Sequence, residues 1–301
     1  MSKLHGQAEL VLDARNATGE CPVWHAEEQS LYWVDIPRKA LHRYHPATGA
    51  HHQWTAPEML ACITRGPAAH QWIAAAESGM FALDTSAEGA LGFRRMATVD
   101  HAQPGMRFND GRCDRQGRFL AGTMVMDMAA AQAAGCIYRL GQGGALTTVL
   151  SGLVTPNGMA FSPDGRTMYL SDSNPAVRKV WAYDYDVERG HPSNPRPFLD
   201  MAAFEGRPDG AAMDTDGCYW ICGIDAGRVH RYTPQGRLDR SIAVPVAKPT
   251  MCAFGGADMR TLFVASIRPA TVTNEQAPDG GLFAIHLSDV QGLPEPGCTV
   301  F

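Results

Sequence analysis

Apolar residues in this chain gather in short runs, each bounded by a polar turn, and the same order of run and turn keeps returning. Within the runs, β-branched and aromatic residues either alternate with polar ones or follow one another directly, which reads as strand rather than helix. The punctuation is of turn type: PATG, SPDG, TPQG and GQGG. Only AAAQAAG, residues 129–135, has a helical composition, and it is short enough to be a decorated loop.

One run in each copy carries an aromatic near its start. These markers are Tyr32, Trp72, Phe119, Tyr169, Tyr219 and Phe263, spaced 40, 47, 50, 50 and 44 residues apart. A period of about 40–50 residues suits one four-stranded propeller blade. The chain therefore predicts an all-β fold, a six-bladed β-propeller with a central channel, as a single domain over residues 1–301. A β-sandwich would account for the strands but not for the regular return of one pattern. Closing the ring must also hide two strand edges. AELVLDA, residues 8–14, precedes the first full copy and is the expected outermost strand of the last blade.

Composition narrows the classes. At 45% hydrophobic and 19% charged over 301 residues, the chain has enough apolar surface for a core and too few charges for disorder. Its net charge is −5 and no basic run stands out, so neither nucleic acid nor an anionic membrane is an expected partner. The first ten residues, MSKLHGQAEL, lack the apolar centre of a signal peptide, and no apolar run is long enough to cross a bilayer. A cytoplasmic location is expected. The eight cysteines form no CxxC pair and mostly lie in strand-like runs, which reads as reduced, buried thiols. His42, His45, His51 and His52 cluster on a polar hairpin and are expected to face solvent rather than hold zinc. No GxSxG or GxGxxG segment is present, which argues against a serine hydrolase elbow and a dinucleotide fold.

Candidate chemistry lies at one phase of the repeat. Glu20 stands twelve residues before Tyr32, Asn109 ten before Phe119, Asn157 twelve before Tyr169, and Asp209 ten before Tyr219. Repeat-equivalent positions in a propeller converge at one mouth of the channel. Two carboxylates and two amides there would form an oxygen cage suited to a hard divalent cation. Taken singly, Asn157 and Asp209 are also common turn residues, since each precedes a glycine.

GECPVW, RFNDG, PNGMAFSPDG, RPDGAAMD and KPTMCAFGG, in that order, resemble the signature segments of the gluconolactonase/regucalcin (senescence marker protein) family. The resemblance runs from about Leu12 to the GGLFAI segment and implies a metal-dependent sugar lactonase. It implies that Glu20, Asn157 and Asp209 ligate one divalent ion (calcium, zinc, manganese or magnesium), and that Arg107 and Asn109 hold the substrate. Asp209 would also be the catalytic base, unless water activated on the cation serves instead. After GTM some family members place an acidic residue that touches the sugar. Here Met126 occupies that position with Asp127 beside it, so Asp127 is the substrate-binding candidate and the sugar preference does not transfer. Asp172, Asp110 and Lys248 are supporting candidates at a strand end, a turn and the rim. The expected partner is a small sugar lactone and the expected state a monomer. A non-catalytic calcium-binding propeller and a propeller phosphotriesterase or aryl-lactonase are the alternatives.

Overall fold

A computed structural model describes residues 6–300 apart from positions 88, 204–205 and 272–273. It begins with β1 (Ala8–Leu12). The first blade comprises β2 (Gly19–His25), β3 (Ser30–Asp35), β4 (Ala40–His45) and β5 (Ala50–Thr55). The second comprises β6 (Leu60–Arg65), β7 (Gln71–Ala76), β8 (Gly79–Asp84) and β9 (Gly92–Thr98). The third has β10 (Met106–Cys113), β11 (Phe119–Val125), β12 (Gly135–Leu140) and β13 (Leu146–Leu153). The fourth has β14 (Pro156–Phe161), β15 (Thr167–Asp172), β16 (Lys179–Asp186) and β17 (His191–Asp200). The fifth has β18 (Arg207–Met213), β19 (Tyr219–Ile224), β20 (Arg228–Tyr232) and β21 (Leu238–Ala243). The sixth joins β22 (Pro249–Gly255), β23 (Thr261–Ser266) and β24 (Leu282–His286) to β1, which pairs antiparallel with β24.

The first strands of the blades touch in a closed cycle, β2 to β6, β10, β14, β18, β22 and back to β2. These six line the channel of a six-bladed β-propeller. Every aromatic marker lies on a second strand, and all six are buried. Tyr32 packs on Trp72 with ring centroids 4.2 Å apart, and Tyr169 on Tyr219 at 5.2 Å, so the markers join one blade to the next. Second strands are covered on both faces and read as unbroken apolar runs, as β3 does. Fourth strands are mostly exposed. On β17 the exposed edge carries Pro192, Pro195 and Pro197, which lack the N–H that a foreign strand would need.

AAAQAAG is the decorated loop its length predicts, and one expectation, that for His42, is corrected. AAAQAAG forms no α-helix: a single 3-10 turn at Met128–Ala130 ends at Ala131 with φ 46°, and Gly135 already belongs to β12. So few residues between two paired strands cannot repay helix nucleation. His42 does not face solvent. It is buried, stacked on Trp33 at 4.8 Å, with its Nδ1 3.0 Å from His51 Nε2, and burial pushes its pKa down to about 3. All eight cysteines are free thiols, and seven of them are buried.

Beyond β24 the chain crosses the ring. Gln291 O accepts from Thr215 N, Leu293 N donates to Met213 O, Cys298 N to Arg65 O and Thr299 N to Gly117 O. Arg112, near the end of β10, donates to Ala211 O at 2.7 Å and pairs with Glu295 of this tail. These anchors stand at or just beyond the ends of innermost strands, so the tail straps the mouth opposite to that where those strands begin.

Candidate active site

Each innermost strand breaks register with its neighbour near its start. The breaks fall between Glu20 and Val23, Leu60 and Cys62, Phe108 and Gly111, Asn157 and Ala160, Pro208 and Ala211, and Pro249 and Cys252. A bulge leaves residues unpaired and re-aims their side chains. Glu20, Asn109, Asn157 and Asp209 all stand at these bulges, at the same mouth of the channel. The residues after Glu20 and Asn157 are both left-handed, Cys21 with φ 48° and Gly158 with φ 57°. Asn-Gly and Asp-Gly are therefore not turns here. A Cβ at Gly158 would lie 2.7 Å from Asp209 O and 2.6 Å from Tyr219 Oη, and one at Gly210 would run into the Met251 side chain. The glycines let neighbouring blades close in behind the side chains that precede them.

Asn157 is buried on β14. Its Nδ2 donates to Asp209 Oδ1 at 2.5 Å and to Ser173 Oγ at 2.9 Å. Those donations fix the amide orientation and leave Asn157 Oδ1 buried without a partner among the described residues. Ser173 Oγ in turn donates to Pro208 O at 2.6 Å and lies 3.4 Å from Asp209 Oδ1. Burial, with Asp110 nearby, pushes Asp209 up to about 8, against the pull of the Arg207 guanidinium. Burial and the fields of Asp209 and Asp110 raise Glu20 well above the usual carboxylate range. Two carboxyl groups that share one field thus both have raised pKa, and Asp209 is bonded to the amide whose oxygen has no partner among the described residues.

Among the described residues no three His, Cys, Asp or Glu side chains gather as a metal cluster. The trio here is two carboxylates and an amide oxygen, a donor set that fits a hard cation with water completing its shell. Asn109 Nδ2 donates to Pro156 O at 3.1 Å, one residue before Asn157, which ties blade three to blade four. Arg107 Nη1 reaches Asn109 Oδ1 at 3.0 Å and Phe108 O at 2.6 Å. Burial draws the Arg107 pKa down while Glu20 holds it up, so the guanidinium belongs to the same field as the carboxylates.

Asp127 stands apart from this group. It is exposed, and its Oδ1 accepts from Ala129 N at 3.1 Å, capping the 3-10 turn. Asp172 braces a loop by accepting from Val154 N, Thr155 N and Asn174 N. Asp35 does the same for Ala17 and Thr18 in blade one. Asp110 stitches the bulges, with Oδ2 accepting from Met159 N and Oδ1 from Gly111 N. Ser173 was not among the sequence candidates, although its segment, SDSN, drew notice for Asp172. A separate cleft of about 390 Å³, lined by Trp24, Tyr44 and Phe263, lies between the first and last blades and includes none of the site residues.

The chain matches the SMP-30/gluconolactonase/LRE-like region over residues 18–268. It is 39% identical to a 6-deoxy-6-sulfogluconolactonase of Pseudomonas putida, covering 96% of this chain and 97% of that protein. It is 35% identical to an L-arabinolactonase of Azospirillum brasilense, covering 94% and 93%. A calcium-binding protein, regucalcin, from Agrobacterium tumefaciens strain C58 superposes with a TM-score of 0.88 at 27% identity, covering 99% of both chains. The chain belongs to the SMP-30/gluconolactonase/LRE-like family.

Proposed function

We propose that this protein hydrolyses a sugar lactone to its aldonic acid at the mouth formed by Glu20, Asn157 and Asp209, with one divalent cation held there. The observation that carries the reading is Asn157 Oδ1, buried without a partner among the described residues, in a side chain bonded to Asp209, whose pKa is raised and whose field also acts on Glu20. The named lactonase relatives, which cover nearly the whole chain, support the substrate class. Bound there, a divalent cation would polarise the lactone carbonyl and lower the pKa of water.

The protein's own groups supply the rest. Glu20 and Asp209 balance the cation's two charges, and their bulges hold both side chains at the mouth. Asn157 adds an oxygen whose direction is set by Ser173 and Asp209. Arg107 and Asn109, linked to each other and to β14, would grip the hydroxyl groups of the substrate and the oxygen that gains charge as the ring opens. Asp209 is the carboxylate assigned to take a proton from attacking water, since Asn157 and Ser173 contact only its Oδ1 among the described residues. Asp127 has no part in this account, because its carboxylate is engaged as a cap.

The test is acid release from a panel of aldono-1,4- and 1,5-lactones by protein stripped with a chelator, then resupplied with calcium, zinc, manganese or magnesium. Hydrolysis restored by a cation and lost in Asp209→Ala and Asn109→Ala is the expected result. No turnover of any lactone, with the cation still raising Tm, would leave a cation-binding propeller without this activity.

A further inference from the structure

Two cations at the rim of the site share one carboxylate. Arg207 opens β18 two residues before Asp209, and its Nε lies 2.7 Å from Asp225 Oδ2. Lys248, immediately before β22, bonds the other oxygen of Asp225 through Nζ. Asp225 is held in the left-handed region at φ 74°, which aims its carboxylate between the two. Ser173 joins this pair to the cage: its carbonyl oxygen accepts from Arg207 Nη1 at 3.1 Å while its hydroxyl lies 3.4 Å from Asp209 Oδ1.

The charge count decides what the pair can recognise. Arg207 and Lys248 set two positive charges against the one negative charge of Asp225, which leaves one positive at the rim. The side chains of Arg207 and Lys248 are 17% and 34% exposed, open enough for a ligand to reach and covered enough to escape full screening. A wholly neutral sugar would leave the surplus charge without a partner.

We propose that Arg207 and Lys248 form an anion subsite, selecting sugar lactones that carry a negatively charged group (sulfonate, phosphate or carboxylate) at the end remote from the lactone carbonyl. This rests on the lactonase reading above. Arg207 donates from a planar fork and Lys248 from a point charge, so together they match a group with several acceptor oxygens.

The experiment compares glucono-lactone with its 6-sulfonate, 6-phosphate and 6-carboxylate counterparts. At least one charged lactone should be preferred by about tenfold or more in kcat/KM, chiefly through KM, as for gain of one charge-assisted hydrogen bond. Lys248→Gln should lower the charged-to-neutral ratio by about tenfold and Lys248→Arg restore it, while Asp225→Asn, which frees both cations, should raise it. Equal turnover of charged and neutral lactones by the wild-type protein overturns the subsite. So does an equal fall on both substrates in Lys248→Gln and Asp225→Asn, the signature of a loop brace. Calorimetry of 6-phosphogluconate against gluconate, with a divalent cation present, reads the subsite without turnover. Tighter binding of the phosphorylated acid, lost in Lys248→Gln, supports the subsite even where no lactone is hydrolysed. Equal binding of both acids overturns it.

Discussion

Asn157 and Asp209 meet across the boundary between blades four and five, Nδ2 to Oδ1 at 2.5 Å, and that contact leaves the amide only its oxygen to offer the channel. The pairing turns an ordinary amide into a one-sided donor of lone pairs. Asn157→Ala is expected to weaken divalent-cation binding by about tenfold or more, the loss of one oxygen contact. Titration calorimetry on chelator-stripped protein measures it directly.

Removing either carboxylate separates holding the cation from moving the proton. Asp209→Asn is expected to lower kcat by about a hundredfold or more, the range for loss of a positioned acid–base group. Glu20→Gln should act first on cation affinity, so saturating cation recovers more of its activity than that of Asp209→Asn. Initial rates across a cation titration distinguish the two variants.

Stability of the cation-free protein should depend on pH through Asp209. Its pKa is about 8 in the folded chain, against about 4 for an unfolded aspartate, and Glu20 is displaced in the same direction. Between those values the folded state holds the extra proton, so the stability contribution is complete below about 4 and is lost as pH rises towards about 8. Thermal melts in chelator should give a lower Tm at pH 8 than at pH 6, with a smaller difference in Asp209→Asn. Adding the cation should raise Tm more at pH 8, where fewer protons have to be displaced than at pH 6.

Arg107 reaches Asn109 and the backbone of Phe108 through one nitrogen, leaving the rest of its fork for a ligand. Arg107→Lys keeps the charge but loses the planar fork, and should raise KM with little change in cation affinity. Steady-state kinetics and calorimetry on the same preparation check both halves.

The strap across the far mouth has its own test. Glu295→Ala removes the carboxylate from Arg112, whose side chain is only 7% exposed. Because Glu295 keeps some contact with solvent, a loss of about 2–3 kcal/mol is expected, below the ~3–5 kcal/mol for breaking a fully buried pair. Urea unfolding measures it.

The fold was legible because each second strand is covered on both faces and carries its aromatic at a fixed phase, from Tyr32 to Phe263. Outermost strands gave less signal: AHHQWT in β5 is mostly exposed, and only Trp54 on it is buried. Phase also singled out Glu20, Asn109, Asn157 and Asp209, since equivalent residues of a rotational repeat converge. It could not show that the glycines after Asn157 and Asp209 serve blade packing, because turns use the same dipeptides. Asp127 stood out by its place after GTM, but the sequence did not show that its Oδ1 caps a local 3-10 turn. Ser173 and the Arg112–Glu295 pair depend on neighbours far away in sequence, with no pattern to mark them.

The seam at β1 sets the order in which this molecule can be completed. Ala8 pairs with Ile285, so β1 leaves the ribosome 277 residues ahead of its partner and waits for it. At ~5–20 residues per second, that interval is about 14–55 s. Through it the nascent chain is an open arc with two bare strand edges, and its own N-terminal strand is the piece that ends the exposure.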